Sequence, residues 1–154
     1  MPDRPPHLLI IEARFYEDIA DELARGAIAA LERAGATFER VSVPGALELP
    51  AALSMALEAG GADGAGYDGF VVLGCVIRGE TTHYDIVAGE SARALMDMAV
   101  DEGLALGFGV LTVEDREQAW ARAAVDRANK GGAAAEAALQ MVALRAHFRA
   151  NTPA

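Results

Sequence analysis

Two hydrophobic periods take turns along this chain. Leu8 to Ile11 form a short apolar run that reads as a buried strand, and Ala13-Arg14-Phe15-Tyr16 follow as a loop. From Glu17, Ile19, Leu23, Ala27, Ile28 and Leu31 recur at helical spacing, and Gly35 supplies a C-terminal cap. Phe38 to Val43 alternate as a second strand. Pro44-Gly45-Ala46 break it, and Leu49, Leu53, Ala56 and Leu57 mark a second helix ending at Gly60-Gly61. The stretch GGADGAG, residues 60–66, reads as an expanded connection. The continuous run Phe70 to Val76 has the length of a strand buried on both faces. A loop from Ile77 to Thr82 leads to a helix opening at His83, on which Ile86, Val87, Ala94, Leu95 and Met98 can share one face. Gly103 stops that helix, and Leu106 to Leu111 predict a fourth strand. Thr112 to Asp115 can cap a helix through Trp120 and Arg122. Asn129-Lys130-Gly131-Gly132 reads as an interruption before a last helix from about Ala134 to Arg149.

Strands alternating with helices imply an α/β fold, a parallel sheet covered by helices on both faces with right-handed crossovers. In such sheets ligands bind beyond the carboxyl ends of the strands. Phe15, Gly45 to Glu48, Val76 to His83 and Phe108 to Thr112 all fall at such ends, so four loops converge on one rim. Residues 1–7, with three prolines, are expected to be a flexible arm, 8–150 a single domain, and 151–154 a loose C-terminus.

At 154 residues the chain is long enough for one real core, and with only 6% aromatic residues that core must rest on Ala, Val, Leu and Ile. A net charge of −10 argues against nucleic acid and anionic membranes as partners, so an anionic ligand needs locally concentrated cations. The single cysteine, Cys75, rules out an internal disulfide and points to a reducing, cytoplasmic setting. No apolar run has the length of a membrane span, and the N-terminus lacks the pattern of a signal peptide. No His/Cys/Asp/Glu spacing suggests a metal, and the phosphate-binding and dinucleotide-binding glycine motifs are missing, so no metal or cofactor is expected.

The loop between the third strand and its helix attracts the chemistry. A glycine turn feeding a helix N-terminus is an anion-receiving corner, and this one carries Arg78, Thr81, Thr82 and His83. An imidazole, which ordinarily titrates near ~6.5, can take and give protons at neutral pH. His83 could equally be a helix-start residue that merely caps; beside Arg78 and the glycine loop, chemistry leads. Phe15 sits where an exposed ring could stack on a planar heterocycle, or could staple the first helix. Phe108 lies inside the fourth strand, where core packing is the default, and Trp120 reads as helix packing. Glu48 is favoured near a helix start by the dipole alone. Cys75 reads as a small buried hydrophobe. Arg122 reads as a solvated charge. Lys130, one lysine against twelve arginines, hints at a job for a compact ammonium, and chance explains it as well.

VPGALELP (43–50), LGCVIRGETTHYDIV (73–87), FGVLT (108–112), EQAWARA (117–123) and NKGGAAAEAALQM (129–141), with ARF at 13–15, closely resemble the lumazine synthase family of riboflavin biosynthesis, over about Leu8 to Phe148. The resemblance implies a flavodoxin-like three-layer α/β/α subunit with a four-stranded parallel sheet, assembled as a homo-oligomer of pentamers or their multiples. The implied reaction condenses 5-amino-6-(D-ribitylamino)uracil with 3,4-dihydroxy-2-butanone 4-phosphate, without a cofactor.

Carried onto matching positions, Phe15 stacks on the pyrimidine, and Gly45 joins Ala46 and Glu48, which hold the ribityl chain. Cys75, Val76 and Ile77 line the pocket through their backbone, Glu80 and Thr81 receive phosphate, and His83 moves protons. Phe108, Arg122 and Lys130 arrive from the adjacent subunit, with Arg122 on phosphate. Three features depart from the family pattern. Tyr16 stands where Asn is usual, Glu80 replaces a small residue, so that its side chain is expected to point away, and AAVDRANKGG lacks the Gly-Thr-Lys-Ala-Gly-Asn pattern of shell-forming relatives. A flavin-binding or shell-forming paralogue of low turnover is the alternative. The intact set that includes His83 favours the enzyme, since storage needs no proton shuttle.

Overall fold

The computed structural model describes residues 4–60 and 66–152, so most of the 60–66 connection, the first three residues and the last two lie outside the described residues. Strands His7–Ala13 (β1), Thr37–Val43 (β2), Gly69–Ile77 (β3) and Leu106–Val113 (β4) form one parallel sheet in the order β2-β1-β3-β4. Helices Glu17–Arg33 (α1), Leu49–Ala59 (α2), His83–Glu102 (α3), Arg116–Ala123 (α4) and Lys130–Ala150 (α5) cover it. A 3₁₀ turn, Ala46–Glu48, leads into α2. The order reverses between β1 and β3, which makes the carboxyl ends of those two strands the topological switch point.

Strand parity builds the three layers. Leu8 and Ile10 of β1 with Val71, Leu73 and Cys75 of β3 pack under α1, α4 and α5, against Ile19, Leu23, Ala119, Ala135 and Ala138. Leu9, Ile11, Phe70, Val72 and Val76 face the other way and pack under α2 and α3, against Leu49, Leu53, Val87 and Leu95. β3 is buried on both faces, as its unbroken apolar run predicts. No helix is long and apolar enough to cross a membrane among the described residues.

The strand and helix order agrees with the periodicity, with three differences. β1 starts at His7, whose N–H donates to Asp68 (2.8 Å), while the Arg4 guanidinium bonds both oxygens of that carboxylate (2.8 and 3.1 Å). On α3 the buried residues are Val87, Ser91 and Leu95, a strict i, i+4 stripe, and Ile86 is exposed instead of sharing it. Asn129-Lys130-Gly131-Gly132 does not interrupt a helix. It opens α5, with Asn129 as N-cap at φ 48° accepting from the Gly132 N–H (3.3 Å).

The two glycines are there for packing. A Cβ on Gly131 would lie 2.0 Å from the Leu23 carbonyl oxygen of α1, and one on Gly107 of β4 would lie 1.9 Å from the Ala134 carbonyl oxygen of α5. Neither obstacle is a flexible side chain, so the backbones themselves would have to part. Gly131→Ala should therefore destabilise the fold by about 1–3 kcal/mol, the usual cost of overpacking. Thermal unfolding at fixed protein concentration checks this; a midpoint within about a degree of the parent would mean that α1 and α5 separate freely.

Candidate active site

Three loops at the carboxyl ends of β1, β2 and β3 carry one group of predicted residues. Phe15 follows β1 and is 72% exposed, its ring edge-on to that of Tyr16 (4.9 Å between centroids). The expected staple against α1 is not made, and the aromatic face is left free for a planar partner. Gly45 follows β2 in an extended conformation, and its N–H donates to Glu48 Oε1 at 2.9 Å. Glu48 thus does the helix-start work its position suggested, while remaining exposed. Ala46 is buried in the same cluster as Val76, so the β2 loop rests directly on the end of β3.

At the end of β3, Cys75 points to the α1 side and Val76 to the α2 side, both buried, with Ile77 half-buried. Burial pushes the Cys75 thiol up to about 11, which keeps it a neutral, unreactive hydrophobe. Glu80, Thr81 and His83 are exposed. The Thr81 hydroxyl accepts from the backbone N–H of His83 (3.3 Å), the first residue of α3, while Thr82 stands at the N-cap. The imidazole itself has no hydrogen-bond partner among the described residues, which leaves both nitrogens available.

Arg78 behaves differently from the loop reading. Its guanidinium lies over the Tyr84 ring (4.1 Å to the centroid), bonds Glu114 (3.0 Å) and reaches Asp85 (3.6 Å), and its N–H donates to the Val113 carbonyl (2.9 Å). The Glu114 carboxylate raises the Arg78 pKa still further. Arg78 is a strut between the β3 loop and the end of β4 rather than a free phosphate ligand.

The second group lies elsewhere. Phe108, Thr112, Arg122 and Lys130 line a groove of about 360 Å³ between the edge strand β4, α4 and the start of α5. None of the β1, β2 or β3 loop residues lines it. Phe108 is 45% exposed, against its expected place in the core; β4 is an edge strand, and on the face that Phe108 shares with Val110 and Thr112 the cover is incomplete, Val110 being buried and the other two exposed. The Arg122 guanidinium makes one hydrogen bond among the described residues, to the Gln118 carbonyl of its own helix (3.1 Å), and Lys130, which is exposed, opens α5. No carboxylate lines this groove, so two cations stand together in a chain of net charge −10.

Phe108 also lines a neighbouring apolar groove of about 670 Å³ between α3, β4 and α5, with Met96, Val100, Leu144 and Phe148. All five of these side chains are exposed. The sequence signal for this face was the set of apolar residues lying off the core stripes of α3 and α5.

The sequence model of the 6,7-dimethyl-8-ribityllumazine synthase family matches residues 5–146. A Rhizobium meliloti protein named 6,7-dimethyl-8-ribityllumazine synthase 1 is 62% identical over 148 residues, covering 96% of this chain and 97% of that one. Proteins named 6,7-dimethyl-8-ribityllumazine synthase from Agrobacterium fabrum (62% over 140 residues, 91% and 95% covered) and Bartonella tribocorum (56% over 148 residues, 96% and 95%) are similar along the same length. With a four-stranded parallel sheet, a polar rim at its switch point and this likeness along nearly its whole length, the chain belongs to the 6,7-dimethyl-8-ribityllumazine synthase family.

Proposed function

We propose that this protein is a transferase of riboflavin biosynthesis. It condenses 5-amino-6-(D-ribitylamino)uracil with 3,4-dihydroxy-2-butanone 4-phosphate to 6,7-dimethyl-8-ribityllumazine, phosphate and water, at sites shared between adjacent subunits of a cytoplasmic homo-oligomer built of pentamers. One observation carries the shared site: Phe108 belongs both to the cationic groove and to the exposed apolar face beside it. An apolar face of that extent marks a docking surface. A second copy seated on it would bring its own rim beside Arg122 and Lys130. The Phe15–His83 rim and the Arg122–Lys130 groove are two halves of one site, and each chain gives one half to each neighbour. Residues 8–150 are the unit that performs this.

The parts suit the reaction. The exposed Phe15 ring stacks on the pyrimidine, and Gly45, Ala46 and Glu48 hold the ribityl chain, Glu48 exchanging its bond to the Gly45 N–H for substrate hydroxyls. The strand end at Cys75, Val76 and Ile77 lines the floor. The substrate's 5-amino group attacks the ketone to give a carbinolamine and then an imine. Phosphate departs by β-elimination, and the ribitylamino nitrogen closes the ring. Every step moves a proton, which His83 relays. The N–H groups at Glu80 and Thr81 with the neighbour's Arg122 and Lys130 take the phosphate, a guanidinium serving it by paired hydrogen bonds. Holding two reactants in register supplies much of the remaining acceleration. No covalent nucleophile is needed, in keeping with the neutral Cys75 thiol.

Purified protein given both substrates should produce lumazine fluorescence; a rate no higher than the protein-free blank would leave only the storage reading. His83→Ala should lower kcat by about 10²-fold or more with little change in either KM. Arg122→Ala should chiefly raise the KM for the butanone phosphate. Equal loss of affinity for that substrate in both variants would contradict these roles. At a butanone phosphate concentration that leaves each variant alone nearly without turnover, co-assembling the two should restore part of the activity, because some sites then receive an intact His83 from one chain and an intact Arg122 from its neighbour. No recovery in mixed assemblies, or a fully active species with the 16.1 kDa mass of one chain, would place both residues in a single-chain site.

A further inference from the structure

One carboxylate in the sheet has no place in the chemistry above. Glu12 stands in β1 among Leu8, Leu9, Ile10, Ile11 and Ala13 and is 2% exposed. A buried charge persists only when it is paired and hydrogen-bonded on several sides. Glu12 meets that condition through two arginines. Arg40 of β2 bonds both of its oxygens (2.6 and 3.0 Å), and Arg14 bonds Oε1 (2.7 Å). Arg14 continues outward to Glu17 (3.1 Å) and to Asp21 of α1, so its guanidinium joins three carboxylates on two elements. Its backbone N–H donates to the Val43 carbonyl (3.1 Å), carrying the β1–β2 ladder one step past the strand and up to Pro44-Gly45.

Arg14 is the residue before Phe15. Both lie in the loop between β1 and α1, so holding the Arg14 side chain against Glu12 and α1 fixes the backbone from which the Phe15 ring leaves. That ring is 72% exposed, and its aromatic neighbour among the described residues is the edge of Tyr16. Its position is therefore set through the backbone by the residue that is held. We infer that Glu12 and Arg14 form a positioning pair for the pyrimidine substrate: the buried carboxylate anchors the guanidinium, the guanidinium fixes the β1–α1 loop, and the loop presents the ring. This rests on the reading of Phe15 as the stacking residue. It assigns specificity for one substrate to two residues that touch neither.

Steady-state kinetics on the assembled full-length protein, with each substrate varied in turn, test it. Arg14→Met should raise the KM for the ribitylaminouracil by about tenfold, leaving the KM for the butanone phosphate within about twofold. Arg14→Lys, which keeps a charge opposite Glu12 but lacks the fork that spans three carboxylates, should move the same KM in the same direction and carries the test if the Met variant does not fold. Arg40→Met, which leaves the Glu12–Arg14 bond in place, should lower the melting temperature without moving the ribitylaminouracil KM. In a Phe15→Ala background, Arg14→Met should add almost nothing, since it acts through that ring. An unchanged KM in folded Arg14 variants, an equal rise in both KM values, an effect of Arg40→Met matching that of Arg14→Met, or full additivity with Phe15→Ala would each overturn the inference. A parent protein without turnover, or Phe15→Ala without effect on the ribitylaminouracil KM, would instead remove the reading beneath it and this inference too.

Discussion

The close approach of α5 to α1 and β4 is the contact on which the rest of the molecule turns. Backbone meets backbone at Gly131 against Leu23 and at Gly107 against Ala134, with Ala135 and Ala138 filling what space is left. A chain with few aromatic residues has little bulk for its core, and so it brings helices and sheet together until small residues suffice. The consequence reaches function directly. α5 begins at Lys130 because Asn129, at φ 48°, turns the chain there and caps the helix with its side chain. The ammonium is thereby set beside Arg122 at the edge of β4. The same tight seam leaves the other side of α5, with Leu144 and Phe148, uncovered next to α3.

The element order and the helix-covered parallel sheet were legible because both rest on local periodicity, which burial then preserved. β3 read as buried on both faces and is; the α/β alternation implied a parallel sheet and it forms. Asn-Lys-Gly-Gly was misread for a physical reason. Glycine carries a local meaning, as a helix breaker, and a tertiary one, as a point of close approach, and only the packed structure chooses between them. Ile86 failed because several apolar residues of α3 lie off the stripe that meets the sheet, and one chain cannot say which stripe that is. Phe108 failed because how far the helices cover an edge strand is decided by the packed fold and not by the alternation of its residues.

The site divides in the same way. Rim residues Phe15, Glu48, Thr81 and His83 were readable as loop residues at strand ends, since an α/β sheet gives those positions a common direction. The roles of Arg122 and Lys130 were not readable from charge or spacing. They came from resemblance, and the structure gives them a common groove without giving them the rim. A residue that works on a neighbour's ligand looks like any other solvated cation in its own chain. The Glu12 network, by contrast, left a visible mark, a charge inside an apolar strand, whose partners in β2 and the β1–α1 loop only the fold could supply.

An anion must find free cations on a protein with an excess of carboxylates, and the arginines are sorted by what each already holds. Arg14 and Arg40 are committed to Glu12, Arg78 to Glu114 and Asp85, and Arg116 to Asp18 (2.5 Å). In each pair the carboxylate raises the affinity of the guanidinium for its proton and cancels its field, so these four serve as struts between loops. Among the described residues the Arg122 guanidinium bonds a carbonyl and no carboxylate, which leaves its charge uncancelled there, and Lys130 shares its groove. Glu80 then matters by its placement. It adds negative charge to the exposed loop between β3 and α3, where Arg78 is already committed to Glu114. In the proposed reading, the cations that offset Glu80 are a neighbour's Arg122 and Lys130, which within one chain line a separate groove. An acidic composition fits that proposal, because it leaves few uncommitted cations for an anion on any one loop.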